Sequence, residues 1–236
     1  MKKIHRFIGA WPLGLGTLRI DDGALAHQLR TVLKLEAGET ILIGDGSGRE
    51  AQCRILRYDH DAVIVEGMSL GQNANELPGH TTLYCAVLKA DHFELAAQKA
   101  TEVGISEIVP IITARTVKLS LRRERVEKVV REAAEQAGRG LIPAVRDAIP
   151  LDHALTEASR NDVNFLFDPS GAPFAGAAKN VRRAGIWIGP EGGWDERELE
   201  RAGELGMRTV SLGSLVFRAE TAVIVATYLV ANSLKS

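Results

Sequence analysis

Hydrophobic and polar positions change their rhythm once along the chain, near residue 75. Before it, short β-like runs alternate with turn signals: 40–43 (TILI), then Gly44-Asp45-Gly46-Ser47-Gly48, then 51–57 and 62–66. Short strands split by Asp-Gly and glycine-rich turns predict a small β-rich domain over residues 1–72. One short helix is predicted at 23–32, after the capping-type Asp21 and Asp22. Residues 69–79 (SLGQNANELPG) are polar, carry Gly, Asn and Pro, and read as a linker.

Beyond the linker the pattern becomes strand, helix, strand, and a second domain is read over residues 76–236. Residues 83–88 form an apolar run of strand length. A helix is predicted at 91–103, with Asp91 as its cap and Gly104 as its stop. A strand at 107–112 precedes a long helix at 121–138, whose Val126, Val129, Val130, Ala133, Ala134 and Ala137 form one apolar stripe. Further strands are predicted at 163–167, 185–188 and 209–212, with helices at 195–205 and 220–234. Strands alternating with helices predict an α/β fold with a parallel sheet. The last helix is apolar on nearly every side (Val223, Ile224, Val225, Tyr228, Leu229, Val230) and must be covered all round. Core burial and a homodimer interface both satisfy that demand.

Composition narrows the function classes. The 236 residues are 45% hydrophobic and 25% charged, a globular average that excludes whole-chain disorder. Lys+Arg 29 against Asp+Glu 30 leaves a formal charge of -1, so bulk positive charge does not recruit a partner, although a local basic patch still can. Cys53 and Cys85 stand apart in apolar stretches, which suits core residues rather than a disulfide or zinc site. The start, Met1-Lys2-Lys3-Ile4-His5-Arg6, leads into no signal-like apolar run. The longest apolar run, 222–231, is about ten residues and too short to span a bilayer. A soluble, cytoplasmic protein is expected.

Three features can carry chemistry. Ile188-Gly189-Pro190-Glu191-Gly192-Gly193 directly follows a strand and precedes a helix. Such a bend is where open α/β sheets bind ligands, and it is equally a plain connecting turn. It is neither a dinucleotide fingerprint nor a P-loop, which argues against NAD or ATP in their usual folds. The second feature, residues 212–222 (LGSLVFRAETA), also follows a strand and opens a helix. Its apolar residues beside Gly213 suit the flat face of an adenine. Arg218, Glu220 and Thr221 lie at its mouth, where helix capping explains them as well as ligand binding does. The third is charge: Arg115, Lys118, Arg122, Arg123, Arg125, Lys128 and Arg131 against Glu124 and Glu127. Phosphate contact and a solvated helix face account for that excess equally well. No hydrolase triad, HExxH or metal-ligand cluster is present, and His27 and His92 read as helix-surface residues.

Taken together these segments resemble the RsmE family of ribosomal RNA (uracil-N3) methyltransferases, in the SPOUT superfamily. The resemblance rests on Arg6-Phe7, on 27–34 with Gly38, on 98–104 (QKATEVG), on 135–139 (EQAGR), on 188–193 and on 212–222, in that order along nearly the whole chain. It implies an N-terminal PUA-like β-barrel that binds RNA and a C-terminal SPOUT domain with a deep trefoil knot. It also implies a homodimer through the C-terminal domain, S-adenosyl-L-methionine as cofactor, no metal, and methylation of uridine N3 in 16S ribosomal RNA.

Carried over residue by residue, the resemblance puts Gly189, Pro190, Glu191, Gly192, Gly193, Leu212, Gly213, Val216 and Phe217 around the cofactor. Arg218, Glu220 and Thr221 fall beside the reacting base. Lys2, Lys3, Arg6, Arg30, Lys34, Arg115, Arg122, Arg123 and Arg139 are the expected RNA contacts. The sequence departs from the family at Leu215, where a basic residue is frequent, at Phe217, where Leu is, and at Lys34, where Arg is. These departures leave open a different RNA position as target, and loss of the cofactor would leave a non-catalytic RNA-binding protein. Methyl transfer to N3 requires loss of its proton, so negative charge develops on the uracil carbonyls. Arg218 is the expected donor to it, and Glu220 a possible proton acceptor.

Overall fold

The computed structural model describes residues 4–117, 121–177 and 180–234, and the chain divides into two units. One unit comprises residues 1–76 and 134–142; the other comprises 77–133 and 143–236.

The first unit is built on β1 (His5–Ile8), β2 (Gly16–Ile20), α1 (Gly23–His27), β3 (Thr40–Gly44), β4 (Arg49–Asp59) and β5 (Ala62–Gln72). The side chain of Asp22 caps α1 by accepting from Leu25 N, and the helix runs on into a π-helical turn, Gln28–Val32. The sheet order is β1-β3-β4-β5-β2, with β1 parallel to β3 and the other pairs antiparallel. Ile41, Ile43, Cys53, Ile55, Val63 and Val65 alternate inward and meet Phe7, Ile20, Leu25 and Leu29 in one core. Two expectations need correction. Among the described residues the sheet is an open, mixed path, because β1 and β2 end it as unpaired edges rather than closing a barrel. Residues 69–72 of the supposed linker continue β5 against β4.

This unit also takes in the end of a later helix and the loop after it. Glu76 accepts from Arg139 Nη2 at 2.8 Å and from the amides of Gly140 and Leu141 at 2.9 and 3.0 Å. Asn73 and Asn75 each donate to the carbonyl of Gly138.

The second unit runs β6 (His80–Ala86), α2 (Ala90–Glu102), β7 (Glu107–Ile112), α3 (Arg123–Ala137), β8 (Ala144–Val145), β9 (Ile149–Pro150), α4 (Leu151–Glu157), β10 (Val163–Pro173), β11 (Arg183–Ile188), α5 (Glu196–Glu204), β12 (Arg208–Ser211) and α6 (Ala219–Ser233). From Ala134 onward, α3 belongs to the first unit. The sheet order is β12-β10-β11-β6-β7-β8, and its pairs are all parallel. The expected parallel α/β sheet is therefore present. At its centre Tyr84 of β6 stacks on Trp187 of β11, with centroids 3.9 Å apart. The Trp187 indole donates to Asn164 Oδ1 at 3.0 Å, which satisfies its buried polar atom.

The helix at 91–103 starts differently from expectation. Lys89 holds the cap position without a side-chain bond, and Asp91 sits in the first turn, where its charge still favours the helix. The apolar α6 is covered on one side only. Val223, Ala226 and Val230 are buried, while Tyr228 is 56% and Leu229 38% exposed.

Candidate active site

The strand order dictates where a ligand fits. From β6 the chain moves outward through β7 and β8, then returns to the other side of β6 through β10 and β11. Such a reversal opens a crevice at the carboxyl ends of the strands. A cavity of about 640 Å³ lies there. Its walls come from four strands and the segments that follow them: Lys89 and His92 after β6, Phe167 to Pro169 within β10, Ile188 to Trp194 from the end of β11 onward, and residues from Leu212 to Ala222 after β12. That volume is typical of a small-molecule site.

The loop after β11 is held from behind. The ring of Trp194 is buried, and its Nε1 donates to the carbonyl of Phe167 at 3.1 Å. A Cβ on Gly189 would stand 3.1 Å from that ring, so the glycine lets the strand end pack flat against the indole. Gly193 N donates to Pro190 O at 2.9 Å and closes the turn. Asp195 then opens α5 with a capping box: its side chain accepts from Arg197 N, and Glu198 accepts from Asp195 N. The other oxygen of Glu198 accepts from Ala114 N at 2.8 Å, and Arg115 Nη1 donates to the carbonyl of Gly192 at 2.9 Å. The segment after β7 thus braces the glycine bend from outside.

The loop after β12 has another character. Leu215 and Val216 are 73% and 80% exposed, and they give the cavity an uncovered apolar wall. Gly213 adopts φ +119°, a conformation that side-chain-bearing residues rarely take. Arg218 holds the cap position of α6 with φ -64° and ψ 153°, and its side chain makes no cap bond. Glu220 follows in the first turn. Its side chain is 12% exposed, and its Oε2 lies 3.5 Å from Nδ1 of His92.

The comparisons with known proteins bear on this site. The profile of the RNA methyltransferase domain matches residues 75–231, and that of the RNA methyltransferase PUA domain matches residues 20–66. A ribosomal RNA small subunit methyltransferase E from Synechocystis is 32% identical over 212 residues, covering 86% of this chain and 69% of its own. The protein of that name from Bacillus subtilis is 29% identical, covering 85% and 84%. The chain belongs to the ribosomal RNA small subunit methyltransferase E family of RNA methyltransferases. A family member from Neisseria gonorrhoeae, crystallised bound to S-adenosyl methionine, superposes with a TM-score of 0.88 at 27% identity over 95% of each chain.

Within that family frame, the structure gathers most of the sequence-derived site residues. Gly189, Pro190, Glu191, Gly192, Gly193, Leu212, Gly213, Val216, Phe217, Arg218 and Glu220 all line the one cavity. Thr221 is half-buried and lies outside the lining.

The basic residues are placed less uniformly. Arg30, Lys34 and Arg122 are exposed. Lys2, Lys3 and Lys118 lie outside the described residues. Arg6 and Arg139 are corrections. Arg6 is 13% exposed at its side chain, donates to the carbonyl of Gly138 and pairs with Glu50 at 3.2 Å. Arg139 is 7% exposed at its side chain and pairs with Glu76. Both guanidiniums are engaged inside their own unit rather than presented to a phosphate. Much of the basic excess around α3 is balanced locally: Arg123 pairs with Glu127 and Asp147, and Arg125 with Glu94.

Sequence reasoning missed two parts of the cavity. Phe167, Asp168 and Pro169 form its third wall, where Asp168 accepts from Ser170 N and Oγ in an Asx turn. The turn-rich Asp168-Pro169-Ser170-Gly171 after a strand was the available signal. His92 is the second. It lines the cavity rather than a featureless helix surface, because α2 packs against α6 and brings the ring to Glu220. Among the described residues no group of His, Cys, Asp and Glu is arranged to hold a metal ion, and no helix is long and apolar enough to cross a membrane.

Proposed function

We propose that this chain transfers a methyl group from S-adenosyl-L-methionine to N3 of a uridine in small-subunit ribosomal RNA. The carrying observation is the cavity at the strand ends, in which two glycine bends, after β11 and after β12, meet beside Arg218 and Glu220. The residues present fit an adenosyl group. A Cβ built on Gly193 or Gly213 meets nothing within 4 Å, so a nucleoside can approach both backbones closely. Leu215, Val216 and Phe217 offer an apolar face for a flat base, while backbone groups of residues 189–193 offer polar contacts around it.

Bound there, the cofactor supplies an electrophilic methyl on a sulfonium. The protein supplies position and charge. Arg218, exposed at the cavity rim and without a cap bond, donates to the uracil carbonyl on which negative charge grows. Glu220, in the first turn of α6 and largely withdrawn from solvent, accepts the proton that leaves N3. Thr221 orients this first turn. The family member crystallised with S-adenosyl methionine supports the cofactor assignment.

The PUA unit holds the RNA through exposed cations, Arg30 and Lys34 among them, and Arg122 adds to the contact surface. The target base is presented unstacked. The C-terminal domain is of the SPOUT class, with its final segment threaded into a trefoil knot. Two copies pair through the uncovered side of α6, where Tyr228 and Leu229 are exposed. The protein works in the cytoplasm, where the ribosomal RNA is.

Mass spectrometry of ribosomal nucleosides from a deletion strain tests the reading. Loss of N3-methyluridine, restored by this chain and not by Arg218→Ala, is expected. Unchanged nucleosides, or a calorimetric blank with S-adenosyl-L-methionine, would overturn it.

A further inference from the structure

The end of β10 stands between the two glycine bends. Phe167 is the register partner of Ile188 in β11 on one side and of Val210 in β12 on the other. Asp168 therefore comes level with Gly189, where one bend begins, and with Ser211, just before the other. There the pairing with β12 breaks. Val210 is also the partner of Ala172, so residues 168–171 are set out of that ladder. Pro169, which has no amide hydrogen to offer, suits such a bulge.

The side chain of Asp168 is anchored by one oxygen. Its Oδ1 accepts from Ser170 N at 2.9 Å and from Ser170 Oγ at 2.6 Å. Its Oδ2 has no hydrogen-bond donor or counter-cation among the described residues, although the residue is half-buried in the cavity wall. An ionised carboxylate can only accept, so the second oxygen is a fixed, unspent acceptor. The other two carboxylates of the lining are placed elsewhere. Glu191 Oε1 lies 3.5 Å from the amide of Lys89, after β6, and Glu220 faces His92.

We infer that Asp168 is the ribose-binding residue of this site, its Oδ2 accepting from the 2′- and 3′-hydroxyls of the adenosyl group. The inference rests on the reading of the cavity as the S-adenosyl-L-methionine site. A nucleoside clasped by both bends lies over the strand end between them. With its adenine against Leu215, Val216 and Phe217, its sugar is the part that reaches β10. Vicinal hydroxyls bring two O–H donors to one place, and a carboxylate complements them; the same pairing reads the ribose in dinucleotide folds. The consequence is selectivity. The site should prefer a ribonucleoside to its deoxy counterpart, because a sugar without hydroxyls leaves the carboxylate desolvated and unpaired.

Calorimetry on the full chain tests this without turnover. The ligands are S-adenosyl-L-methionine, S-adenosylhomocysteine, 5′-methylthioadenosine and the 2′,3′-dideoxy form of the last. Asp168→Asn is the variant, because it keeps an oxygen for Ser170 and removes the charge. It should weaken methylthioadenosine and S-adenosylhomocysteine alike, by roughly tenfold or more, the size of a hydrogen bond to a charged group. It should change the dideoxy nucleoside by less than about twofold. Methylthioadenosine has neither an ammonium nor a sulfonium, so its loss of affinity isolates the sugar. A loss with S-adenosylhomocysteine but not with methylthioadenosine would move Asp168 to the ammonium and overturn the inference. A loss with S-adenosyl-L-methionine alone would move it to the sulfonium and do the same. An equal loss with the dideoxy nucleoside would mean that Asp168 only shapes the wall, which also overturns it. If the wild type binds none of these ligands, the cofactor reading falls and the inference with it. If the wild type binds them and Asp168→Asn binds them equally well, the inference alone falls.

Discussion

The guanidinium of Arg115 reaches across from the segment after β7 and donates to the carbonyl of Gly192 at 2.9 Å, with Asp195 Oδ2 3.5 Å from its other nitrogen. A residue that sequence charge assigns to RNA therefore braces the glycine bend proposed to hold the cofactor. Gly192 itself has no side chain to anchor it, so this contact and the Glu198–Ala114 bond fix the bend from outside. Arg115→Ala is expected to weaken S-adenosyl-L-methionine binding about fivefold, the equivalent of about 1 kcal/mol for one partly exposed charged hydrogen bond. Calorimetry measures this directly. A phosphate contact would behave otherwise: cofactor affinity would hold, and the salt slope of RNA binding would drop by about one.

Arg218 makes the complementary case. It sits at the rim with its side chain free of any cap bond, which suits a donor that waits for substrate. Arg218→Ala should reduce kcat by about 10²–10³ with the Kd for the cofactor unchanged, since the proposed cradle is built from other residues lining the cavity, in 189–193 and 212–217. Single-turnover methylation beside calorimetry separates the two effects. Equal turnover in the variant would remove Arg218 from the chemistry.

The elements legible in the sequence are those that local pattern controls. Strand 107–112 coincides with β7, and helix 195–205 is α5 with its two cap residues. Both glycine bends fall on the cavity because they follow buried strands, and strands of a parallel sheet end on one face. The order of those strands was not legible, since nothing local says that β10 lies outside β11. The wall at Asp168 therefore stayed hidden. His92 was missed for the same reason: its partner lies 128 positions along the chain, and only the α2–α6 packing joins them. Arg6 and Arg139 show the limit of reading charge, which announces a cation but not whether a carboxylate such as Glu50 or Glu76 already holds it. Strands β1 and β2 are too short for their alternation to stand out, and β1 is stabilised by pairing with β3 far along the chain.

Gly171 tests the geometry of the third wall without touching chemistry. A Cβ there would lie 2.5 Å from the backbone nitrogen of Val210 and 2.6 Å from its Cα. Both contacts are to main chain in the neighbouring strand β12, which cannot swing aside as a side chain would. The register of β10 against β12 shifts just there, between Phe167 and Ala172. Gly171→Ala should destabilise the fold by about 2 kcal/mol, in the range of overpacking, and loosen the wall that carries Asp168. Denaturant titration gives the first quantity, and cofactor affinity of the folded variant gives the second. A variant as stable as wild type would show that the two strands do not approach this closely.

The ion pair of Glu76 with Arg139 makes the stability of the first unit depend on acid. Burial alone would raise the Glu76 carboxyl. The Arg139 guanidinium and the amides of Leu141 and Gly140 outweigh burial and hold it below the usual glutamate range. The folded chain thus binds this proton more weakly than the unfolded chain does. The resulting stability is fully present above the ordinary glutamate value of about 4.3, and it is lost as pH falls through the lower folded value. Glu76→Gln removes the charge and weakens the hold on the 7%-exposed Arg139, at a cost of about 2 kcal/mol near neutral pH. Denaturation midpoints of the wild type and the variant, followed from neutrality down to roughly pH 3, should converge as the wild-type carboxyl takes up its proton. A gap that stays constant over that range would mean that Glu76 is held by shape alone, and that its charge contributes nothing to joining residues 138–142 to the first unit.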